Sequence, residues 1–192
     1  MPHLSQPSAA LAASFRSAMA DFVAEGRGGP QDDSALDRHL TGFAAEWHTP
    51  QGFERFLTEL RREGDTSVPP PPNWVHSSTY WWAEGSQFLG SIRIRHELTP
   101  SLLETAGHIG YDIAPGARRR GHGTAMLRAA LPIAAGMGIE QALITCDVDN
   151  IGSRKVILAN GGVLEDERAG KLRFWVPTRP AEHERTAEYR AG

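Results

Sequence analysis

The sequence has one cysteine, Cys146, in 192 residues. That excludes an internal disulfide framework and fits a reducing, cytoplasmic setting. There is no apolar run of membrane-spanning length, so no membrane partner is expected. Near the start there is no basic segment followed by a long apolar core, so no signal peptide is expected either. The eight histidines include no His-x-x-x-His pair and no matching acidic ligands, which argues against a metal site. The net charge of −3 lacks the basic surplus of a nucleic-acid surface, and the arginines are not interleaved with aromatics, so nucleic-acid binding is disfavoured. No internal repeat is evident. What is left is ordinary: 40% apolar and 22% charged residues, with length for one domain and a real core.

Taken in order, residues 1–10 carry Pro2 and Pro7 and are expected to be loose. Leu11, Phe15, Met19 and Phe22 then recur at spacings of four, four and three, the stripe of an amphipathic helix over 11–25. A second helix is expected over 34–47 with Leu36, Leu40, Phe43 and Trp47 on one face. A third starts at Pro50, with Phe53, Phe56, Leu57 and Leu60. Residues 68–72, Val-Pro-Pro-Pro-Pro, form a stiff extended linker. Two β-rich runs follow, 74–83 and 88–95, with a hairpin turn at Glu84-Gly85-Ser86. Residues around Leu102 and Leu103 are either a short third strand or, over 101–106, a helical turn. Residues 107–114 are the fourth strand.

After a loop, a helix is expected from about Thr124, carrying Met126, Ala130, Ile133 and Met137. Pro132 lies inside it, which predicts a kink near Arg128 or an early end. Residues 142–146 are apolar without alternation, as in a strand covered on both faces. A helix over 151–160 and a hairpin of 163–165 with 172–176 complete the chain. A single domain is expected over 11–177, followed by a polar, mobile tail over 178–192.

The chain is organised around Arg118-Arg119-Arg120-Gly121-His122-Gly123-Thr124, between the fourth strand and the following helix. Helix N-termini present amide N–H groups without internal partners, and the macrodipole adds positive charge there. Glycines at 121 and 123 let an anion approach the backbone. No Lys follows either glycine, which excludes a P-loop. Met126 stands where a dinucleotide fingerprint needs its third glycine. The remaining pattern is Arg-x-x-Gly-x-Gly: Arg118, Gly121 and Gly123.

With that pattern the sequence resembles the GCN5-related N-acetyltransferase (GNAT) family. Residues 107–111, Gly-His-Ile-Gly-Tyr, and 147–155, Asp-Val-Asp-Asn-Ile-Gly-Ser-Arg-Lys, look like one uncharacterised bacterial acetyltransferase branch of it. The order of elements over 11–177 matches as well. The resemblance implies an α/β (α+β) GNAT fold. A mixed central sheet of six to seven strands would be splayed between strands four and five and flanked by helices. It also implies an acyl-CoA-dependent N-acyltransferase that moves acetyl from acetyl-CoA, without a metal, to a primary amine of a small molecule or peptide. The alternative is a CoA-binding regulatory or degenerate domain without turnover. A homodimer is an assembly state that the resemblance also implies.

On the same basis the loop from Arg118 through Arg119, Arg120, Gly121, His122, Gly123 and Thr124 would hold the pyrophosphate of coenzyme A. Backbone at Ile113 would pair with the pantetheine arm, and Asn150 and Ser153 would lie near its thiol end, with Arg154 close by. His122, at an x position, is expected to face solvent. Thr124 and Asn150 are also candidate helix N-caps. Many family members carry a tyrosine seven residues after the asparagine as proton donor; here that position is Ile157. Tyr111 is the substitute donor, or else a core aromatic. For the general base the candidates are His108, Glu104, Asp112 and His96, with a water-relayed base as a further route. His108 and Asp112 share the strand face opposite Tyr111. Cys146 is expected to be inert core.

Overall fold

A computed structural model describes residues 1–29 and 36–179, with the side chains of 37–39 outside that description. The first sheet orders β1 (His3–Ser5), β2 (Ser77–Glu84), β3 (Gln87–Arg95) and β4 (Ile109–Ile113) side by side. The second orders β5 (Gln141–Asp147), β7 (Lys171–Pro177) and β6 (Val163–Arg168) in that spatial sequence. Every neighbouring pair within each sheet is antiparallel. Seven strands and a splay between β4 and β5 match expectation, but they form two sheets rather than one.

The two hairpins follow their turn residues. Gly85 takes φ 56° between β2 and β3, and Ala169 and Gly170 take φ 47° and 76° between β6 and β7, the positive values that tight hairpin turns need. Helices α1 (Ala12–Ala24), α2 (Asp37–Phe43) and α3 (Pro50–Glu63) bury the predicted stripes. Thr49 caps α3 by accepting the Gly52 N–H at 3.0 Å, and Pro50 occupies its first turn. The expected helix over 34–47 is shorter; residues 34–35 lie outside the described range, and Trp47 sits in a turn.

Phe15 is the hub of this layer. Its ring stacks on Trp81 at 4.8 Å between centroids and meets Trp47, Phe53, Phe56 and Phe88 within 5.7 Å. These rings are almost fully buried. A second core lies on the other side of the first sheet. There α5 (His122–Gly136) and α6 (Ile151–Leu158) cover Trp82, Ile92 and Ile94, and on the second sheet Ile144, Phe174 and Val176.

Two local expectations are corrected, and two that stood as alternatives are narrowed. Residues 3–5 are not loose: they form β1, paired to β2 with Leu4 opposite Trp82. Of the two alternatives at Leu102 and Leu103, the helical turn is the one formed: Thr99 accepts the Leu102 N–H and Pro100 occupies the first turn of α4 (Pro100–Thr105), a strong helix start. Helix α5 runs through Pro132 to Gly136 instead of ending early. Thr178 does not begin a mobile tail: it is 2% exposed, and its hydroxyl donates to Ile139 O and Glu140 O.

The sheets meet at one bridge, Gly107 to Ile144. The His108 N–H donates to Leu143 O at 2.7 Å, and the Leu143 N–H donates to His108 Nδ1 at 2.9 Å. A side-chain nitrogen thus takes the place of a ladder carbonyl. Thr145 Oγ1 adds a bond to Thr105 O at 2.9 Å. Beyond this point β4 pairs only with β3.

Two outcomes follow. Gly107 has φ 65°, and a Cβ there would lie 2.4 Å from Leu143 O. Gly107→Ala is expected to cost at least about 2 kcal/mol in urea denaturation. Burial, reinforced by the Arg95 charge, lowers His108 to about 4, whereas an unfolded histidine titrates near about 6.5. The folded pKa is depressed, so this contribution is complete above about pH 6.5 and is lost as pH falls towards 4. Up to about 3 kcal/mol should disappear over that interval. His108→Asn, whose acceptor does not titrate, should lose less between pH 7 and pH 4 than the wild type; an unchanged difference would remove His108 from the account.

Candidate functional site

The open edge of β4 is the floor of the site. Arg95 N–H donates to His108 O, and Ala114 N–H donates to Leu89 O. Antiparallel pairing alternates residue by residue. The backbone of Gly110 and Asp112 therefore faces β3, and that of Tyr111 and Ile113 faces the gap towards β5. Ile113 O accepts from Arg118 Nε at 3.1 Å. An extended amide chain could add to this edge as a strand would.

At one end of the gap stands the glycine loop. Pro115–Ala117 make a short 3-10 turn. Arg119 at φ 63° and Gly121 at φ 80° then reverse the chain into α5. Gly121 is the N-cap and has no side chain to bond the first-turn amides. These amides and the helix dipole point to where an anion would lie. Thr124 is the third residue of the helix, not its cap. At Gly123 the limit is packing: a Cβ would stand 3.0 Å from Val156 Cγ2 on α6.

The three arginines have separate fates. Arg118 turns away from the loop, holds Glu25 through both terminal nitrogens at 3.0 and 2.8 Å, and lies over the Phe22 ring. Arg119 and Arg120 are exposed and carry the local positive charge. His122, expected to face solvent, is turned inward, with Nδ1 3.3 Å from the Trp82 indole nitrogen.

Across the gap from Tyr111 stands the start of α6. Asn150 caps it, its Oδ1 accepting the Ser153 N–H at 2.9 Å. Tyr111 reaches across the gap to Ser153, with 2.8 Å between the two hydroxyl oxygens. Burial pushes the Tyr111 phenol well above its ordinary range, although the Ser153 bond opposes this. Burial raises the Cys146 thiol, although Ser153 opposes this, as suits an inert core cysteine. Ile157 is fully buried. Arg154 is exposed.

The other predicted groups do not gather at this point. His108 is committed to Leu143 and held neutral, so it acts as a clamp between sheets. Asp112 pairs with Arg27 at 2.9 Å. Glu104 is exposed on α4 and pairs with Arg168 at 2.8 Å. His96 bonds Ser78 at 2.9 Å and stacks on His76 at 6.0 Å; burial, then the His76 charge, lowers it. Sequence reasoning missed Trp82, Glu25 and Asn160, whose amide nitrogen donates to Thr124 O and Val156 O. Each acts through a partner distant in the chain and leaves no local pattern. Among the described residues no His, Cys, Asp or Glu group could hold a metal, and no helix is long and apolar enough to cross a membrane.

Comparison with known proteins adds the family. No curated protein matches the sequence. Among solved structures, RimJ of Mycobacterium smegmatis, in complex with a CoA disulfide, has a TM-score of 0.64 at 17% identity, covering 98% of this chain and 90% of that one. The microcin C7 self-immunity acetyltransferase MccE, with acetyl-CoA and AMP, gives 0.61 at 12% identity, covering 92% of each chain. RimL, a ribosomal alpha-N-protein acetyltransferase with coenzyme A, gives 0.60 at 15% identity over 91% of this chain and 92% of that one. At such identities the likeness is one of fold. The acetyltransferase (GNAT) domain model matches residues 9–163. With the splayed strands and the glycine loop in place, that match identifies the chain as a member of the GNAT family of N-acetyltransferases.

Proposed function

We propose that the chain binds acetyl-CoA along the gap between β4 and β5 and transfers its acetyl group to a primary amine of a small molecule or peptide. One observation carries this reading. Tyr111 and Ser153 meet across the gap at 2.8 Å, on the strand that leads to the exposed Arg119, Arg120 and the uncapped first turn of α5. A ligand with an anionic head, an extended amide arm and a reactive end would meet the matching group at each station. The solved structures with CoA or acetyl-CoA support the same ligand.

In this reading the amides from Arg119 to Thr124 hold the pyrophosphate, and the backbone of Tyr111 and Ile113 pairs with the arm. The amine nitrogen attacks the acetyl carbon directly, the carbon–sulfur bond breaks, and the amine's proton leaves to solvent through water. His108 is not the base, because its Nδ1 is occupied and its affinity for protons is low. A strongly raised phenol does not readily surrender its proton. Tyr111 instead donates its hydrogen to Ser153 Oγ, which leaves the Ser153 hydroxyl free to donate to the departing sulfur. The conjugate thiol has a pKa near about 8.5, so the thiolate leaves with that hydrogen bond alone and takes its proton from water.

Isothermal titration should detect acetyl-CoA binding by the wild type. Arg119→Ala with Arg120→Ala removes exposed charge and should weaken it by roughly 10- to 100-fold, with folding unchanged by circular dichroism. Thiol release against an amine panel then separates a transferase from a binder without turnover. Ser153→Ala should lower kcat by roughly 10- to 100-fold, and Tyr111→Phe by about tenfold, with little change in KM. Unchanged kcat in both variants would exclude the hydroxyl pair from the chemistry.

A further inference from the structure

The Trp82 indole is 5% exposed, and its N–H can only donate, so burial demands an acceptor. It finds one in His122 Nδ1, 3.3 Å away and forty residues along the chain. A donor-only partner fixes the imidazole: Nδ1 accepts, and the proton sits on Nε2. That Nε2 is buried and has no hydrogen-bond partner, so the ring is not placed there to satisfy its own polar atoms. It is placed to hold Trp82.

The position of His122 gives this bond its meaning. His122 is the first residue of α5, directly after the glycine N-cap. Most helices fix their start with a Ser, Thr, Asp or Asn whose side chain bonds the first-turn amides. Such a cap here would occupy the donors that an anion needs. Gly121 leaves them open and gives up the anchoring. Gly121, at positive φ, leaves the backbone there a wide choice of conformation, and Arg119 beside it is held in a conformation that costs energy. Trp82 lies in β2, a strand paired on both sides, and so offers a rigid anchor.

We propose that His122 is a positioning residue for the cofactor loop. Its bond to Trp82 replaces the missing cap, fixing the first turn of α5 on the sheet while its amides stay free for the pyrophosphate. This rests on the acetyl-CoA reading above. It predicts an effect confined to ligands that carry the pyrophosphate.

The test measures acetyl-CoA affinity by isothermal titration and acetyl-pantetheine affinity by NMR titration, the second ligand sharing the arm and thioester only. His122→Leu and Trp82→Phe should each weaken acetyl-CoA by about three- to tenfold, the value of one neutral hydrogen bond, and leave acetyl-pantetheine within about twofold. The double variant should be no weaker than either single one. His122→Asn, which keeps an acceptor near Nδ1, should restore acetyl-CoA binding. Equal losses for both ligands, or His122→Asn as weak as His122→Leu, would overturn the role. A wild type that binds acetyl-pantetheine but gains nothing from the nucleotide would overturn it too. Failure of the wild type to bind either ligand would instead sink the acetyltransferase reading, and this role with it.

Discussion

Leu143 gives its amide proton to the ring of His108 and takes one from that residue's own amide. The exchange holds two sheets together where backbone pairing is reduced to a single bridge. A continuous ladder would have joined them more firmly and would have closed the gap. One strong point of contact lets β4 and β5 start together and then part, leaving the outward backbone of Tyr111 and Ile113 without a strand beside it. Gly107 makes the approach possible, since any side chain there would strike Leu143 O.

Around that gap the elements are tied across layers by charge. Glu25 holds Arg118, and Asp112 holds Arg27, so the end of α1 is fixed to both the glycine loop and the floor strand. The Arg118–Glu25 pair is exposed and worth little alone, and the Arg27–Asp112 pair is half-buried. Their effect is geometric: the stacking of Arg118 and Arg27 on Phe22 fixes which way the motif's first arginine points. Positive charge at the loop is then left to Arg119, Arg120 and the helix terminus.

Much of this was legible in the sequence. Helical stripes, the two hairpin turns and the strand before the arginine loop follow from periodicity and turn chemistry, which are local. The loop's backbone turn into α5 was legible because glycine spacing reports backbone shape. Misreadings came where a distant partner decided the outcome. His122 looks like a loop histidine until Trp82 appears opposite it. His108 has the chemistry of a base, but the Leu143 amide occupies it. Thr178 is polar in a polar tail, yet two carbonyls bury it. At Leu102 apolar content left strand and helical turn both open, and Thr99-Pro100, a helix start, decides for the turn.

The packing of Gly123 on Val156, with Asn160 bridging Thr124 and Val156, makes one rigid body of α5 and α6. The anion station rides on the first turn of α5, and Ser153 rides on the first turn of α6. The interval between them is therefore set by the packing of two helices rather than by a loop. On the acetyl-CoA reading the pair would work as a gauge: an acyl donor whose arm spans that interval would bring its thioester level with Tyr111, and one with a shorter arm would stop before it.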